Sequence, residues 1–277
     1  MLMKPRALIL DIFGDYLRYV DSEVKAGDLV TLLGVLGVEP AATRMTLSRL
    51  KQEGWFTTRK VGRETIYRLS DHLLEILDEG RSRIFAEYEE DWDGWWTQVV
   101  FQTPESDRTV REQVKKQLAW LGFGPLTPST WLSPRNAKAD ALKLQAEFAT
   151  ATIDVLASRT DDPARDRALV ARCWDLSLLE TDYREFIEGH RDLLQSAPTL
   201  EGPSALAVRT EIVSTYRHFP FRDPSLPVAL RPDGWSGAEA HDLFLAVHRA
   251  LAGAAVAYVS EVVGMAVETT ELRTQNM

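Results

Sequence analysis

Seven basic side chains between residues 40 and 70 carry the most pointed chemistry in this sequence: Arg44, Arg49, Lys51, Arg59, Lys60, Arg63 and Arg68, against two acids, Glu53 and Glu64. The stretch has a charge of +5 inside a chain of net charge −9, so the remaining residues carry −14. Clustered lysine and arginine suit phosphate contacts, because each one that meets a nucleic-acid backbone releases condensed counterions. An acidic remainder argues against non-specific coating of nucleic acid and confines contact to the basic island. A solvated amphipathic helix beside an ordinary hairpin has the same composition, so order along the chain has to decide.

Other reactive groups fall into no catalytic pattern. The five histidines are His72, His190, His218, His241 and His248. His241 and His248 are two helical turns apart, roughly 10 Å at 1.5 Å per residue, too far to share a metal without a carboxylate between them. They are expected to be surface or capping residues. Cys173 is single, so neither a disulfide framework nor a cysteine-based zinc site is available. No G-x-S-x-G, no phosphate-binding G-x-x-x-x-G-K and no G-x-G-x-x-G after a strand occurs. The sequence therefore points to no catalytic residues, no metal and no cofactor; the expectation is a non-enzyme, with an enzyme left as an alternative that no motif supports.

The elements that must position the basic island read as a recognition helix followed by a hairpin wing. Ala41 to Glu53 is rich in helix formers, with Leu47 and Leu50 on one face and Arg44, Ser48, Lys51 and Gln52 left to solvent or a ligand. Gly54 stops that helix. Phe56 to Arg59 and Thr65 to Leu69 are β-prone runs joined through Val61-Gly62-Arg63. Upstream, Pro5 to Val20 has helical apolar spacing, and Asp28 to Leu36 is a second short helix with Asp28 as its expected cap. Helix, glycine-bearing turn, helix and hairpin together predict an N-terminal winged helix-turn-helix. In such a head Thr43, Arg44, Thr46 and Ser48 fall where base edges are read. Arg49 ties the helix to the wing or to a phosphate, and Arg59, Lys60 and Arg63 meet phosphates or the minor groove.

Beyond the hairpin, Leu73 to Trp92 predicts a connector helix ending in an acidic, solvated cluster of Glu87, Glu89, Glu90, Asp91 and Asp93. Trp95–Phe101, Ser106–Leu121, Phe123–Ser133, Ala137–Phe148 and Thr152–Ala157 then follow as β-α-β-β-α-β, the ferredoxin-like order. Helices are predicted over Asp166–Leu194, Pro203–His218 and Ser236–Glu268, the last with a break at Gly253. The expected class is α+β in three parts: residues 1–92 for DNA binding, 93–165 for dimerisation or spacing, and 166–277 as a helical C-terminal domain. Asp11 and Asp15 inside the first apolar run argue against a signal peptide. With no uninterrupted span of about 20 apolar residues, no membrane helix is expected, and a reducing cytoplasm fits.

Tyr216-Arg217-His218-Phe219-Pro220, Asp223-Pro224-Ser225-Leu226-Pro227, Leu230-Arg231-Pro232 and Trp235-Ser236-Gly237 form a long proline- and aromatic-bearing string. It resembles the C-terminal signature of the PaaX-type repressor family, which regulates phenylacetate catabolism in bacteria. Leu47-Ser48-Arg49-Leu50, Gly54-Trp55 and Cys173-Trp174-Asp175-Leu176 match its other landmarks. The resemblance implies a homodimeric transcriptional repressor bound to palindromic double-stranded operator DNA and released by phenylacetyl-CoA. The family's middle domain is similar to the small ferredoxin-like nuclease of CRISPR systems, which makes metal-dependent phosphodiester cleavage the alternative. That nuclease needs an aspartate at the end of its first strand, and here the strand ends Val99-Val100-Phe101-Gln102-Thr103, with no acid before Glu105.

An acyl-CoA effector needs an apolar slot for its aromatic group and cationic surface for its phosphates. Trp131, Trp174 and Trp235 are the candidates for the slot, and Arg209, Arg217 and Arg222, which bracket the proline-rich segment, for the phosphates. Tryptophans at helical or strand positions also fill cores, and Asp223 to Pro227 is equally readable as a rigid turn.

Overall fold

A computed structural model describes residues 4–19, 23–86 and 91–267. Spatially the chain gathers into two units. One comprises Met1–Ala86, Phe186–Arg217 and Glu239–Met277, the other Glu87–Glu185 and His218–Ala238. The class is α+β, with two antiparallel sheets.

The first unit opens with α1 (Pro5–Asp15), β1 (Glu23–Lys25), α2 (Ala26–Val35) and α3 (Pro40–Gln52). Proline stands in the first turn of both α1 and α3, where its missing N–H costs nothing. Asp28 lies within the first turn of α2, whose cap position is Lys25, so the expected Asp28 cap is corrected. Both α2 and α3 end in Schellman motifs. Gly37 and Gly54 adopt φ of 76° and 80°, and Val38 and Trp55 donate back to the Leu33 and Leu50 carbonyls. The hairpin β2 (Phe56–Val61) and β3 (Glu64–Leu69) turns through Gly62-Arg63, with Gly62 at φ 60°. Strand β1, too short to read from sequence, pairs with β3 and gives the order β1-β3-β2. Helix α4 (Asp71–Ile84) is capped by Ser70, whose Oγ accepts from the Leu73 N–H at 3.2 Å. It ends at Ile84 rather than running on to Trp92. Glu87, Glu89 and Glu90 of the expected acidic cluster lie outside the described residues.

The second unit holds β4 (Trp96–Gln102), α5 (Arg108–Trp120), β5 (Gly124–Thr127), β6 (Thr130–Ser133), α6 (Lys138–Glu147) and β7 (Thr152–Ser158). Its sheet order is β5-β6-β4-β7, antiparallel throughout. Strand alternation divides its apolar residues between two faces. Val99, Phe101 and Trp131 pack with Val114, Leu118 and Leu144 of α5 and α6. Trp96 and Leu132 pack on the opposite face with Val170 and Cys173 of α7 (Pro163–Cys173) and with Leu226 and Leu230.

The predicted helix Asp166–Leu194 is broken. Helix α7 ends at Cys173, α8 (Leu176–His190) follows an extended Trp174, and the short α9 covers Leu193–Ser196. Helix α10 spans Gly202–Tyr216. Helix α11 runs unbroken over Gly237–Val263, so the expected break at Gly253 is absent. By length and composition alone α11 is long and apolar enough to cross a bilayer, although Asp242, Arg249 and Glu261 interrupt it. Its apolar side is instead the wall of a protein core: Phe244, Val247, Leu251, Ala255 and Val259 are buried, and Phe244 stacks on Tyr216 with centroids 4.2 Å apart.

Candidate nucleic-acid interface

Burial divides α3 into two sides. Thr43, Thr46, Leu47 and Leu50 face the interior, while Arg44, Met45, Ser48, Arg49, Lys51 and Gln52 are exposed. Apolar and small residues three and four apart fix this orientation, because their side must meet the core that α1 and α2 supply. Phe56 at the start of the hairpin packs on Phe13 of α1 with centroids 4.9 Å apart, which sets the hairpin against the same core.

The structure thins the candidate contacts on the helix. Thr43 is fully buried and Thr46 nearly so, at 0% and 6% exposure, so neither reaches a groove while α3 is folded. Both are corrected to core positions. Arg44, Ser48 and Arg49 stand where a duplex can reach them, and Arg49 has Glu53 one turn away at 3.8 Å. Met45, overlooked because a lone apolar residue on a helix reads as core, is 71% exposed between Arg44 and Ser48.

On the hairpin, Arg59, Lys60 and Arg63 are all exposed. Arg59 is already engaged: its guanidinium grips Glu23 of β1 through Nη2 at 2.7 Å and Nε at 3.3 Å. That hydrogen bond holds the Glu23 carboxyl below the usual range. Arg44, Lys51, Lys60 and Arg63 form no ion pair among the described residues, so their charge is available.

The effector candidates do not converge. Arg209 is fully buried in the first unit, where Nη1 lies 3.2 Å from Oδ2 of Asp15 and Nε donates to the His248 carbonyl at 3.1 Å. It is a core residue. Arg217 pairs with Asp11 at 3.0 Å, also in the first unit, and Arg222 pairs with Asp182 at 2.6 Å in the second. Trp131 and Trp174 lie on opposite faces of the second sheet. Trp235 packs edge-on against Tyr183, 5.5 Å between centroids, beside the cluster that includes Trp174. The Asp223–Pro227 segment is a locked turn. Buried Asp223 accepts from the Tyr183 hydroxyl at 2.7 Å and from the Ser225 N–H at 2.6 Å, and Ser225 adopts a positive φ of 51°.

His241 and His248 are also corrected. Both are buried, His241 against the Tyr216 hydroxyl at 2.9 Å and His248 against Asp15 at 3.0 Å. Among the described residues no three His, Cys, Asp or Glu side chains gather as metal ligands. Cys173 is buried, and that burial pushes its thiol up to about 11, with Arg172 opposing.

Three family models match the chain: "PaaX-like protein" over residues 4–73, "PaaX protein central Cas2-like domain" over 89–170, and "PaaX-like protein C-terminal domain" over 174–261. The chain is 33% identical over 264 residues to the transcriptional repressor PaaX of Escherichia coli (strain K12), covering 92% of this chain and 83% of that protein. Among solved structures it is similar to the uncharacterized protein Rv0674 from Mycobacterium tuberculosis. The TM-score is 0.62 with 22% identity, over 95% of this chain and 99% of the other, a likeness of fold.

Proposed function

The chain belongs to the PaaX-like protein family, and from that premise we propose that it is a DNA-binding transcriptional repressor of phenylacetate catabolic genes, acting in the cytoplasm. The observation that carries this reading is the exposed side of α3, where Arg44, Met45, Ser48 and Arg49 stand clear, followed in the chain by a hairpin whose turn exposes Lys60 and Arg63. The similarity to a transcriptional repressor over nearly the whole chain supports it.

In this reading residues 1–92 are a winged helix-turn-helix. The Leu36–Glu39 turn between α2 and α3 and the β2–β3 hairpin that follows support that assignment. Residues 93–165 are a ferredoxin-like dimerisation or spacer module, supported by the β-α-β-β-α-β order and the strand order β5-β6-β4-β7. Residues 166–277, which divide between the two units, form the C-terminal effector and dimerisation region. Helix α3 enters the major groove, and Arg44 makes a bidentate contact to guanine worth roughly 1–3 kcal/mol of discrimination. Lys60 and Arg63 add salt-dependent affinity through phosphates. A homodimer places two such heads on a palindrome one or two helical turns apart.

The effector is an aryl-CoA thioester such as phenylacetyl-CoA. By preferring the DNA-free state it moves the two heads out of register, and the avidity of the dimer is lost. The test is a gel-shift titration on the DNA upstream of the protein's own gene, with and without phenylacetyl-CoA. A specific complex that dissolves with the thioester but persists with free phenylacetate is expected. Absence of a specific complex at any salt concentration would overturn the repressor reading. A specific complex indifferent to the thioester would overturn only the effector.

A further inference from the structure

In the second unit α7, Trp174 and the Leu230–Pro232 segment enclose an open groove of about 590 Å³. That is within the size range of small-molecule sites. Its floor is apolar, built from Val170, Leu176 and Leu230. Its rim is cationic: Arg167, Arg172 and Arg231 face a single carboxylate, Asp175. Arg167 and Arg172 are exposed and form no ion pair among the described residues. Arg231 is half-buried and is held by donating from Nε to the Leu226 carbonyl at 2.6 Å.

The aromatic wall of the groove is fixed before any ligand arrives. Trp174 stacks on Trp96 with an interplanar angle of 22° and a centroid separation of 6.5 Å. Trp96 is anchored in turn by its indole N–H, which donates to buried Asp166 of α7 at 2.9 Å. Across the sheet edge, Gly124 of β5 gives the Trp174 ring its space, since a Cβ at 124 would collide with that ring and with Cys173. Asp175, the one acid on the rim, accepts from the Ser177 hydroxyl at 2.6 Å, which keeps its carboxyl ionised and leaves the three arginines to set the rim's net positive charge.

An apolar floor, a preset indole and a rim of guanidinium groups select a ligand that is apolar and planar at one end and multiply anionic at the other. We infer that this groove is the effector site, taking the aryl acyl end of a CoA thioester against Trp174 and its phosphates on Arg167, Arg172 and Arg231. The assignment rests on the effector reading above and replaces Arg209, Arg217 and Arg222 as the phosphate contacts. Guanidinium pairs with phosphate bidentately, and Arg167 and Arg172, about 7.5 Å apart along α7, both line the groove and are free to take phosphates.

Calorimetric titration of the full chain with phenylacetyl-CoA tests it, alongside the variants Arg167→Glu/Arg172→Glu and Leu230→Trp. Circular dichroism checks that each variant is folded. The charge reversal is expected to weaken thioester binding at least tenfold and to remove most of its salt dependence. Leu230→Trp, which fills the floor, should weaken the thioester without changing that salt dependence. Wild-type affinity in both variants would overturn the groove and leave the effector reading standing. No binding of the thioester by the wild-type chain would overturn both.

Discussion

Nε2 of His248 on α11 lies 3.0 Å from Oδ1 of Asp15 on α1, joining residues 233 positions apart in the sequence. Both are buried, and the same carboxylate takes the Arg209 guanidinium on Oδ2 at 3.2 Å. Removing Asp15 strands a buried guanidinium, a loss of about 3–5 kcal/mol by comparison with other broken buried pairs. Asp15→Ala should therefore lower the melting temperature by many degrees. A loss under about 1 kcal/mol would mean that water or another acid compensates. The pH dependence has a definite sign. Burial pushes the Asp15 carboxyl up, but Arg209, His248 and Arg81 together hold it well below the usual range. A depressed carboxyl stabilises the fold above its unfolded pKa and loses that contribution as pH falls through the folded value. The gap between wild type and Asp15→Asn should narrow in acid.

Asp11, one turn earlier on α1, moves the other way. Burial raises its carboxyl to about 6, with Arg217 and Ser214 opposing only in part. Between about pH 4 and 6 the folded chain holds a proton that the unfolded chain releases, so stability falls as pH rises across that window. Asp11→Asn removes the dependence. Its stability relative to wild type should improve from pH 4 to pH 7 by up to roughly 3 kcal/mol, from about two units of displacement. Urea denaturation at the two pH values measures it, and a pH-independent difference would refute it.

These pairs mark where the sequence stops being readable. Elements defined by local rules are found within a few residues: α3 by its apolar spacing and Gly54, the hairpin by Gly62, and β4 to β7 by runs of apolar and β-branched residues. The break at Trp174-Asp175 has no glycine or proline to announce it. Strand β1 is three residues long and exists through its pairing with β3. His248 and Arg209 are polar residues on apolar helices, and only the position of Asp15, far away in sequence, reveals them as core. Thr43 and Thr46 were legible as helix but not as interior, because threonine serves either side.

Salt dependence separates the hairpin cations. Lys60→Ala and Arg63→Ala should each reduce the slope of log K against log salt by about 1, with little change in sequence preference. Arg59→Ala should change it less, because Arg59 is already neutralised by Glu23. Glu23→Ala, which releases Arg59, should steepen the slope. Fluorescence anisotropy over a salt series decides, and an unchanged slope in the Lys60 and Arg63 variants would take the hairpin out of the interface.

On α3 the discriminating pair is Arg44 and Met45. Arg44→Ala should weaken operator binding by about 1–3 kcal/mol while leaving non-specific DNA nearly unaffected. Met45 is apolar, unbranched and exposed beside it, which suits contact with the C5-methyl of thymine. Burying one methyl is worth about 0.8 kcal/mol, or about fourfold in affinity. Replacing operator thymines one at a time with deoxyuridine should therefore uncover a position where the wild-type chain loses about fourfold. At that position Met45→Ala should lose nothing further, because the methyl and the thioether are two halves of one contact. If the uracil penalty persists in Met45→Ala, another side chain reads that methyl and Met45 is exposed for a different reason.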